Sequence, residues 1–271
     1  MIKFSKQVVT WALGIISAVF TLVPEALFGF CKIVPSAPYE VNIIINRVLC
    51  FLGITVLVAI IYGCYFHLRK SINIRGKNYS IVVHYGDIFD MSKCKKVIPF
   101  DECFTTEVGQ APEQVKPSSI CGQYLAKYPI DNIQAIIDKA QLRPCKGKSN
   151  YNNQERYESG RLVPNGDYLL MAFTKLDKDG LGRMTRDEYL ECLSLLWREI
   201  NKYYGQTDVC IPVLGSGITR LGDNELTQQE LLDMIIGSYK LSAHKIKAPT
   251  RLRIVCKKRD DFSMNKIGEH L

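Results

Sequence analysis

The chain has 271 residues, 47% hydrophobic and 23% charged, with a formal net charge of +8, an ordinary balance for a globular protein with room for one good-sized domain plus attachments. The average hides two unlike parts: residues 1–70 hold six basic and two acidic groups, while the remaining 201 hold 29 and 25. A net of +4 scattered over that larger part is too mild for a nucleic-acid face, so nucleic acid is not an expected partner.

Taken in order, Val8–Val23 is an uncharged apolar stretch, interrupted by Pro24-Glu25 and resumed from Ala26 to Val34 apart from Lys32. It reads as a span of about 8–30, straight or kinked, or as an interfacial segment; Lys3 and Lys6 ahead of an apolar core also leave a signal peptide open. Arg47 and Arg69 then bracket a run from Val48 to Leu68 whose first 19 residues carry no charge, enough to cross a hydrocarbon core of ~30 Å. Two spans make a hairpin over residues 1–70. Lys3 and Lys6 on one side and Arg69, Lys70, Arg75 and Lys77 on the other place both ends in the cytoplasm by the positive-inside rule, hence an expected multi-pass inner-membrane protein. Glu25 is expected at the interface, since Pro24 ends the regular helix there.

From Lys70 onward, strands and helices alternate. Tyr79–Tyr85 reads as a strand closed by Gly86-Asp87-Ile88, and Val97–Phe100 as a short strand whose pairing Pro99 restricts. A helical run follows Ser118–Gly122. A second helix has Asp131 as its expected N-cap and Ile133, Ile136 and Ile137 on one face. Tyr157–Val163 and Tyr168–Phe173 flank Asn165-Gly166, a hairpin signal. Thr185 and Glu188 form a capping box for a helix over 186–204, with Leu190, Leu193, Leu196, Trp197 and Ile200 on its apolar face. Val209–Leu214 is a buried strand breaking into Gly215-Ser216-Gly217. Thr227 and Glu230 cap another helix, Arg251–Cys256 is a last strand, and residues 259–271 read as a loose charged tail. The ten cysteines form no C-x-x-C and mostly sit in apolar runs, which reads as reduced thiols and no metal centre.

Glycines at a strand end let backbone N–H groups approach an anion, although an ordinary glycine turn has the same composition. The order Gly86-Asp87-Ile88, the small-residue turn at Ser118–Gly122, Tyr157-x-x-Gly160 and Pro212-x-x-Gly215-Ser216-Gly217 resembles the macro domain. It is most similar to the divergent macro domains joined to N-terminal spans in bacterial Thoeris anti-phage systems. The resemblance implies a three-layer α/β/α sandwich with a mixed sheet over residues 71–258, behind a two-helix transmembrane hairpin. It implies adenine reading by Asp87 and Ile88, a diphosphate loop of Gly215, Ser216, Gly217, Ile218 and Thr219, and an opposing wall of Ser119, Cys121 and Gly122. It also implies a membrane effector that senses an ADP-ribose-derived nucleotide made from NAD by a TIR-domain partner, with binding altering how copies of the hairpin assemble. No cofactor is expected.

Hydrolytic macro domains carry asparagines after the second strand. The matching stretch here is Phe100-Asp101-Glu102-Cys103-Phe104, with none. Asp101 and Glu102 offer two carboxylates, but neighbours on one strand point to opposite faces and do not share one bond. Binding without catalysis is therefore the expectation, and a membrane-tethered ADP-ribosyl hydrolase the alternative. The segment Asp177–Glu188 matches an EF-hand loop in part, with Gly182 sixth and Glu188 twelfth. Leu181 at the fifth position, the strand-like approach and the competing capping box argue against calcium.

Overall fold

The computed structural model describes residues 2–29, 32–36, 38–217, 220–221, 226–260 and 262–267. The chain divides into two compact units, Met1–Arg69 and Lys70–Leu271.

The first unit holds helix α1 (Ile2–Leu22), a single turn α2 (Glu25–Phe28) and the 30-residue helix α3 (Tyr39–Leu68). At 1.5 Å per residue α3 is about 45 Å long. Val8, Ala12 and Ile16, spaced four apart on one stripe of α1, bury themselves with Val58 of α3. The first apolar stretch is built of two helices, because Pro24 breaks it. The run from Val48 to Leu68 is the carboxyl-terminal part of α3. The helix begins nine residues earlier behind Pro38, where buried Asn42 stitches the connector to the helix: its Oδ1 accepts from Val34 N and its amide donates to Val34 O, both at 3.1 Å. Glu25 has a helix partner, Arg47 of α3 at 3.3 Å, whose guanidinium also lies over the Phe20 and Phe28 rings.

The second unit is one mixed sheet between helices. Its strands are β1 (Ser71–Arg75), β2 (Ser80–Tyr85), β3 (Cys94–Asp101), β4 (Leu162–Asn165), β5 (Tyr168–Leu176), β6 (Gly182–Met184), β7 (Asp208–Pro212), β8 (Arg220–Leu221) and β9 (Leu252–Cys256). The order is β1-β2-β9-β7-β3-β5-β6-β8, with β4 paired to β5. β2, β9, β7, β3 and β5 run parallel, so their carboxyl ends share one edge. The helices are α4 (Ile120–Lys127), α5 (Ile133–Lys139), α6 (Arg186–Tyr203) and α7 (Gln228–Leu241).

Alternation along the strands builds two cores. Val97, Leu169, Met171, Val209, Ile211, Leu252 and Ile254 face α6 and α7, while Ile98, Leu170, Ala172, Cys210 and Val255 face α4 and α5. A sheet covered on both sides needs apolar residues at successive positions, which these strands have. The capping boxes of α6 and α7 form as their spacing predicts. The hairpin closes at Gly166-Asp167, with Asn165 opposite Tyr168 and Gly166 at φ +60.

Several sequence expectations are corrected. Asn132, not Asp131, caps α5, its side chain accepting from Ala135 N. Tyr157–Arg161 lies outside β4; Tyr157 N donates to Glu102 O just past β3, and Gly160 N and Arg161 O bond Ala172 of β5. Leu190 is exposed, because the buried face of α6 runs through Tyr189, Cys192, Leu193, Leu196, Trp197 and Ile200. The region after β9 is not loose as far as it is described: Phe262, Met264 and Ile267 are buried in the α6/α7 core, and Phe262 meets the Tyr85 ring edge-on at 5.6 Å. Within Asp177–Glu188, residues 182–184 are β6, the Asp177 carboxylate accepts from Asp179 N and Leu181 N, and Glu188 bonds Lys175 and the Thr185 amide.

Gly160 sits at φ +102, and a Cβ there would lie 2.5 Å from Cys192 O and 2.9 Å from Leu195 Cβ. Gly160→Ala is therefore expected to cost about 2–4 kcal/mol, from the positive φ and the backbone clash together. Gly166→Ala, at φ +60 with open space around it, should cost only about 1 kcal/mol. Thermal unfolding followed by the fluorescence of buried Trp197 reads both; equal shifts would contradict the packing argument.

Candidate functional site

The ladder between β3 and β7 stops early. Paired positions are Cys94–Asp208, Lys95–Val209 and Lys96–Cys210, and none follow. The cause lies in two prolines. Lys96 N donates to Asp167 O on the β5 side, so the odd residues of β3 turn their N–H toward β7. Val209 N and Val213 N donate to β9-side carbonyls, so the even residues of β7 turn theirs toward β3. Pro99 and Pro212 are the next residues to face the gap from each strand, and neither has an N–H. With two successive ladder donors missing, the strands part at their carboxyl ends. That is where an open α/β sheet makes its crevice.

A cavity of about 450 Å³ opens there. Its floor is Pro99, Phe100 and Asp101 of β3 with Phe173 and Thr174 of β5, and one wall is Pro212 at the end of β7 with the loop 213–217 that follows. The opposite wall is the segment 112–116 and the start of α4, and Lys257 and Arg259 line it from beyond β9.

The loop is held by its carbonyls. Val213 O accepts from Ser216 N at 3.3 Å and from Ser216 Oγ at 2.7 Å. Leu214 O accepts from the buried Tyr189 hydroxyl at 3.0 Å, and Ser216 O from the Arg259 guanidinium at 2.8 Å. Because C=O and the following N–H of a trans peptide point opposite ways, tying back Leu214 O and Ser216 O aims the Gly215 and Gly217 amides away from those partners. Gly215 adopts φ +80, a conformation open to glycine at no steric cost. Ile218 and Thr219 lie outside the described residues.

Ser119 and Cys121 line the same cavity as Gly215, Ser216 and Gly217. The Ser119 hydroxyl is already engaged: it accepts from Gly122 N as the cap of α4 and donates to Lys116 O. Burial pushes the Cys121 thiol well above its ordinary value, so it presents a neutral apolar surface. Gly122 does not line the cavity; a Cβ there would meet Lys116 O at 2.3 Å, so it serves the close approach of α4 to residues 116–117. Asp87 and Ile88 follow β2 on the same carboxyl edge but do not line the cavity either. Asp87 Oδ1 accepts from Phe89 N at 2.9 Å, capping the short 3₁₀ turn Ile88–Asp90, and Ile88 is buried.

The two adjacent carboxylates part company. Asp101 lines the cavity and accepts from Cys103 N at 2.8 Å and Thr105 N at 3.2 Å; burial holds its carboxyl above the ordinary carboxylate value against those bonds. Glu102 does not line the cavity. It is buried against Ser149 Oγ at 2.6 Å, Leu176 N at 3.2 Å and Arg156 at 3.4 Å, holding the segment 149–156 to the sheet. Sequence reasoning missed Thr174, the segment 112–116, Lys257 and Arg259 as lining residues. Gly180 is a further one: at φ +76 it gives the 177–181 turn its close seat against Glu113.

Comparison with known proteins bears on this arrangement. The family described as "Thoeris protein ThsA, Macro domain" matches residues 81–257. The chain is 28% identical over 269 residues to the Thoeris protein ThsA of Bacillus amyloliquefaciens (strain Y2), covering 94% of this chain and 86% of that one. Among solved structures, the Oceanobacillus iheyensis macrodomain with ADP aligns at TM-score 0.45 and 10% identity, over 70% of this chain and 90% of that one. The macrodomain of Thermus aquaticus DarG aligns at TM-score 0.38 and 14% identity, over 66% and 98%. The family match spans every strand from β2 to β9 and both walls of the crevice: this chain belongs to the macro-domain family of the Thoeris protein ThsA.

Proposed function

We propose that this protein is a membrane-anchored sensor in anti-phage defence. It binds an ADP-ribose-derived nucleotide, made from NAD by a TIR-domain partner, and does no chemistry on it. The observation that carries this reading is the crevice at the β3/β7 gap. Its volume of about 450 Å³ falls in the range of small-molecule sites, and one wall is a glycine loop whose carbonyls are tied back. Such a loop suits a diphosphate, because consecutive amides supply partial positive charge without a metal.

Two features favour binding over hydrolysis. Glu102 is spent on Ser149, Leu176 and Arg156, away from the cavity, while Asp101 has one oxygen, Oδ1, engaged by two backbone amides and burial disfavours the ionised form that a base requires. A base for water needs a carboxylate with open lone pairs near the reacting atom. Membrane anchoring in the inner membrane, with the macro domain in the cytoplasm, is supported by the exposed apolar surface of the first unit. The Ser5–Leu22 and Tyr39–Leu68 windows have mean hydropathies of 1.3 and 2.5 and are only 17% and 11% buried. Side chains such as Leu13, Leu57, Ile60 and Ile61 need a non-aqueous neighbour. A ligand then acts by its differential affinity for two assembly states of the hairpins.

Gly217 has open space where a Cβ would stand, so Gly217→Glu should fold while placing a carboxylate in the anion loop. Calorimetry on the detergent-solubilised chain should show ADP-ribose affinity reduced by at least ~100-fold, the order of a lost charge-assisted contact plus repulsion; unchanged affinity would put the site elsewhere. Asp101 gives a pH signature. Its raised folded-state value means the folded chain keeps a proton that the unfolded chain has lost, so stability falls as pH rises from the ordinary carboxylate range through that value. Asp101→Asn keeps the acceptor oxygen and should melt higher than the parent at neutral pH, with the advantage vanishing toward the ordinary carboxylate range; a lower Tm at neutral pH would contradict it. Finally, the chain should stay in the membrane pellet after alkaline carbonate extraction, and recovery in the supernatant would remove the anchoring.

A further inference from the structure

The segment after β9 joins the cavity in a way the glycine loop alone does not require. Lys257 is clamped at its backbone by buried Gln228, whose side chain donates to Lys257 O at 2.8 Å and accepts from Lys257 N at 3.2 Å. Five residues on, Phe262 is buried against Tyr85, and Met264 and Ile267 enter the α6/α7 core. Between these two anchors, Lys257 and Arg259 line the cavity, and Arg259 reaches across to the Ser216 carbonyl. Among the described residues no carboxylate pairs with either side chain. Lys116, the third cation on the lining, is spent on Gln110 O and Ala111 O.

We infer that Lys257 and Arg259 form a cationic subsite that clamps the diphosphate of the bound nucleotide against the Gly215–Gly217 loop. The inference rests on the nucleotide-binding reading above and deepens it: the cradle is charged, and the charge comes from a strap fixed at both ends. A guanidinium has five N–H donors in a planar fork, so Arg259 can hold Ser216 O with one and present others to phosphate oxygens. The anchors on either side limit the entropy lost when the two side chains close on the ligand. The subsite selects for ligands that carry a diphosphate, and gives binding a salt dependence that neutral amides alone do not produce.

The test is a set of calorimetric titrations of the full chain in zwitterionic detergent, with ADP-ribose, inorganic pyrophosphate and adenosine, at low and high salt. Arg259→Gln and Lys257→Gln are each expected to weaken ADP-ribose about 10-fold or more, the order of a lost charged hydrogen bond, and the double variant to lose most of the salt dependence. Adenosine, which has no phosphate, should bind all variants alike. Arg259→Lys keeps the charge and should retain the salt dependence. Trp197 fluorescence checks that the strap variants still fold. If the double variant binds ADP-ribose with the parent's affinity, or with reduced affinity but the same salt dependence, the cationic subsite is wrong while nucleotide binding stands. If the parent binds neither ADP-ribose nor pyrophosphate, the nucleotide reading fails and the subsite with it.

Discussion

Two missing hydrogen-bond donors set the plan of the second unit. Pro99 and Pro212 are the next gap-facing residues of β3 and β7, and the ladder ends before them. Either proline alone would remove one bond from a central strand pair. Together they remove consecutive bonds and let the strand ends separate without leaving orphaned N–H groups, the costly outcome in a buried sheet. The register of β3 against β5 also shifts between Phe100 and Asp101, which helps turn the end of β3 away from β7. The crevice is therefore written into the backbone, and the side chains around it only furnish it.

What furnishes it is mostly an arrangement of carbonyls. Tyr189 is fully buried in α6 and spends its hydroxyl on Leu214 O, so the α6 core and the loop are one rigid piece. Ser216 bonds back onto Val213, and Arg259 takes the remaining carbonyl from the far side. A loop preorganised in this way has little left to lose when an anion arrives. Of the two adjacent carboxylates, Asp101 lines the crevice and holds two backbone amides on Oδ1, and Glu102 bonds Ser149, Leu176 and Arg156 outside it.

Local chemistry made much of this legible in the sequence. The capping boxes at Thr185 and Thr227 depend on residues three apart and form where their spacing puts them, and the hairpin read from Asn165-Gly166 forms with its turn one residue later, at Gly166-Asp167. The apolar runs gave the central strands for the same reason. Elements decided by distant partners were not legible: β1, β6 and β8 are two to five residues long and exist only through pairing. Leu190 was placed inside because it is apolar, whereas the face of α6 is set by Tyr189 and Trp197 beside it. In the site, Asp87 shows the limit plainly, since a carboxylate that caps a turn and one that reads adenine have the same sequence. Lys257 was hidden at the very end of the domain and Arg259 inside the segment read as a charged tail, although Phe262, Met264 and Ile267 mark that segment as packed. The prolines were visible, and a proline in each of two central strands was a signal of the gap.

The first unit follows a different solvent logic. Its helices bury only a narrow stripe against each other and leave most of their apolar surface outside, while Arg47 pairs with Glu25 and Asn42 ties the connector at Val34 to α3. The central claim, that the macro domain of this chain holds its nucleotide without cleaving it, is tested most directly by a single titration followed by recovery of the ligand. ADP-ribose is titrated into the full chain and then re-extracted and analysed by mass spectrometry, alongside an ADP-ribosylated protein incubated under the same conditions. The account predicts saturable one-site binding, with the nucleotide recovered intact and the modification retained; absence of binding, or turnover of either compound, would contradict it.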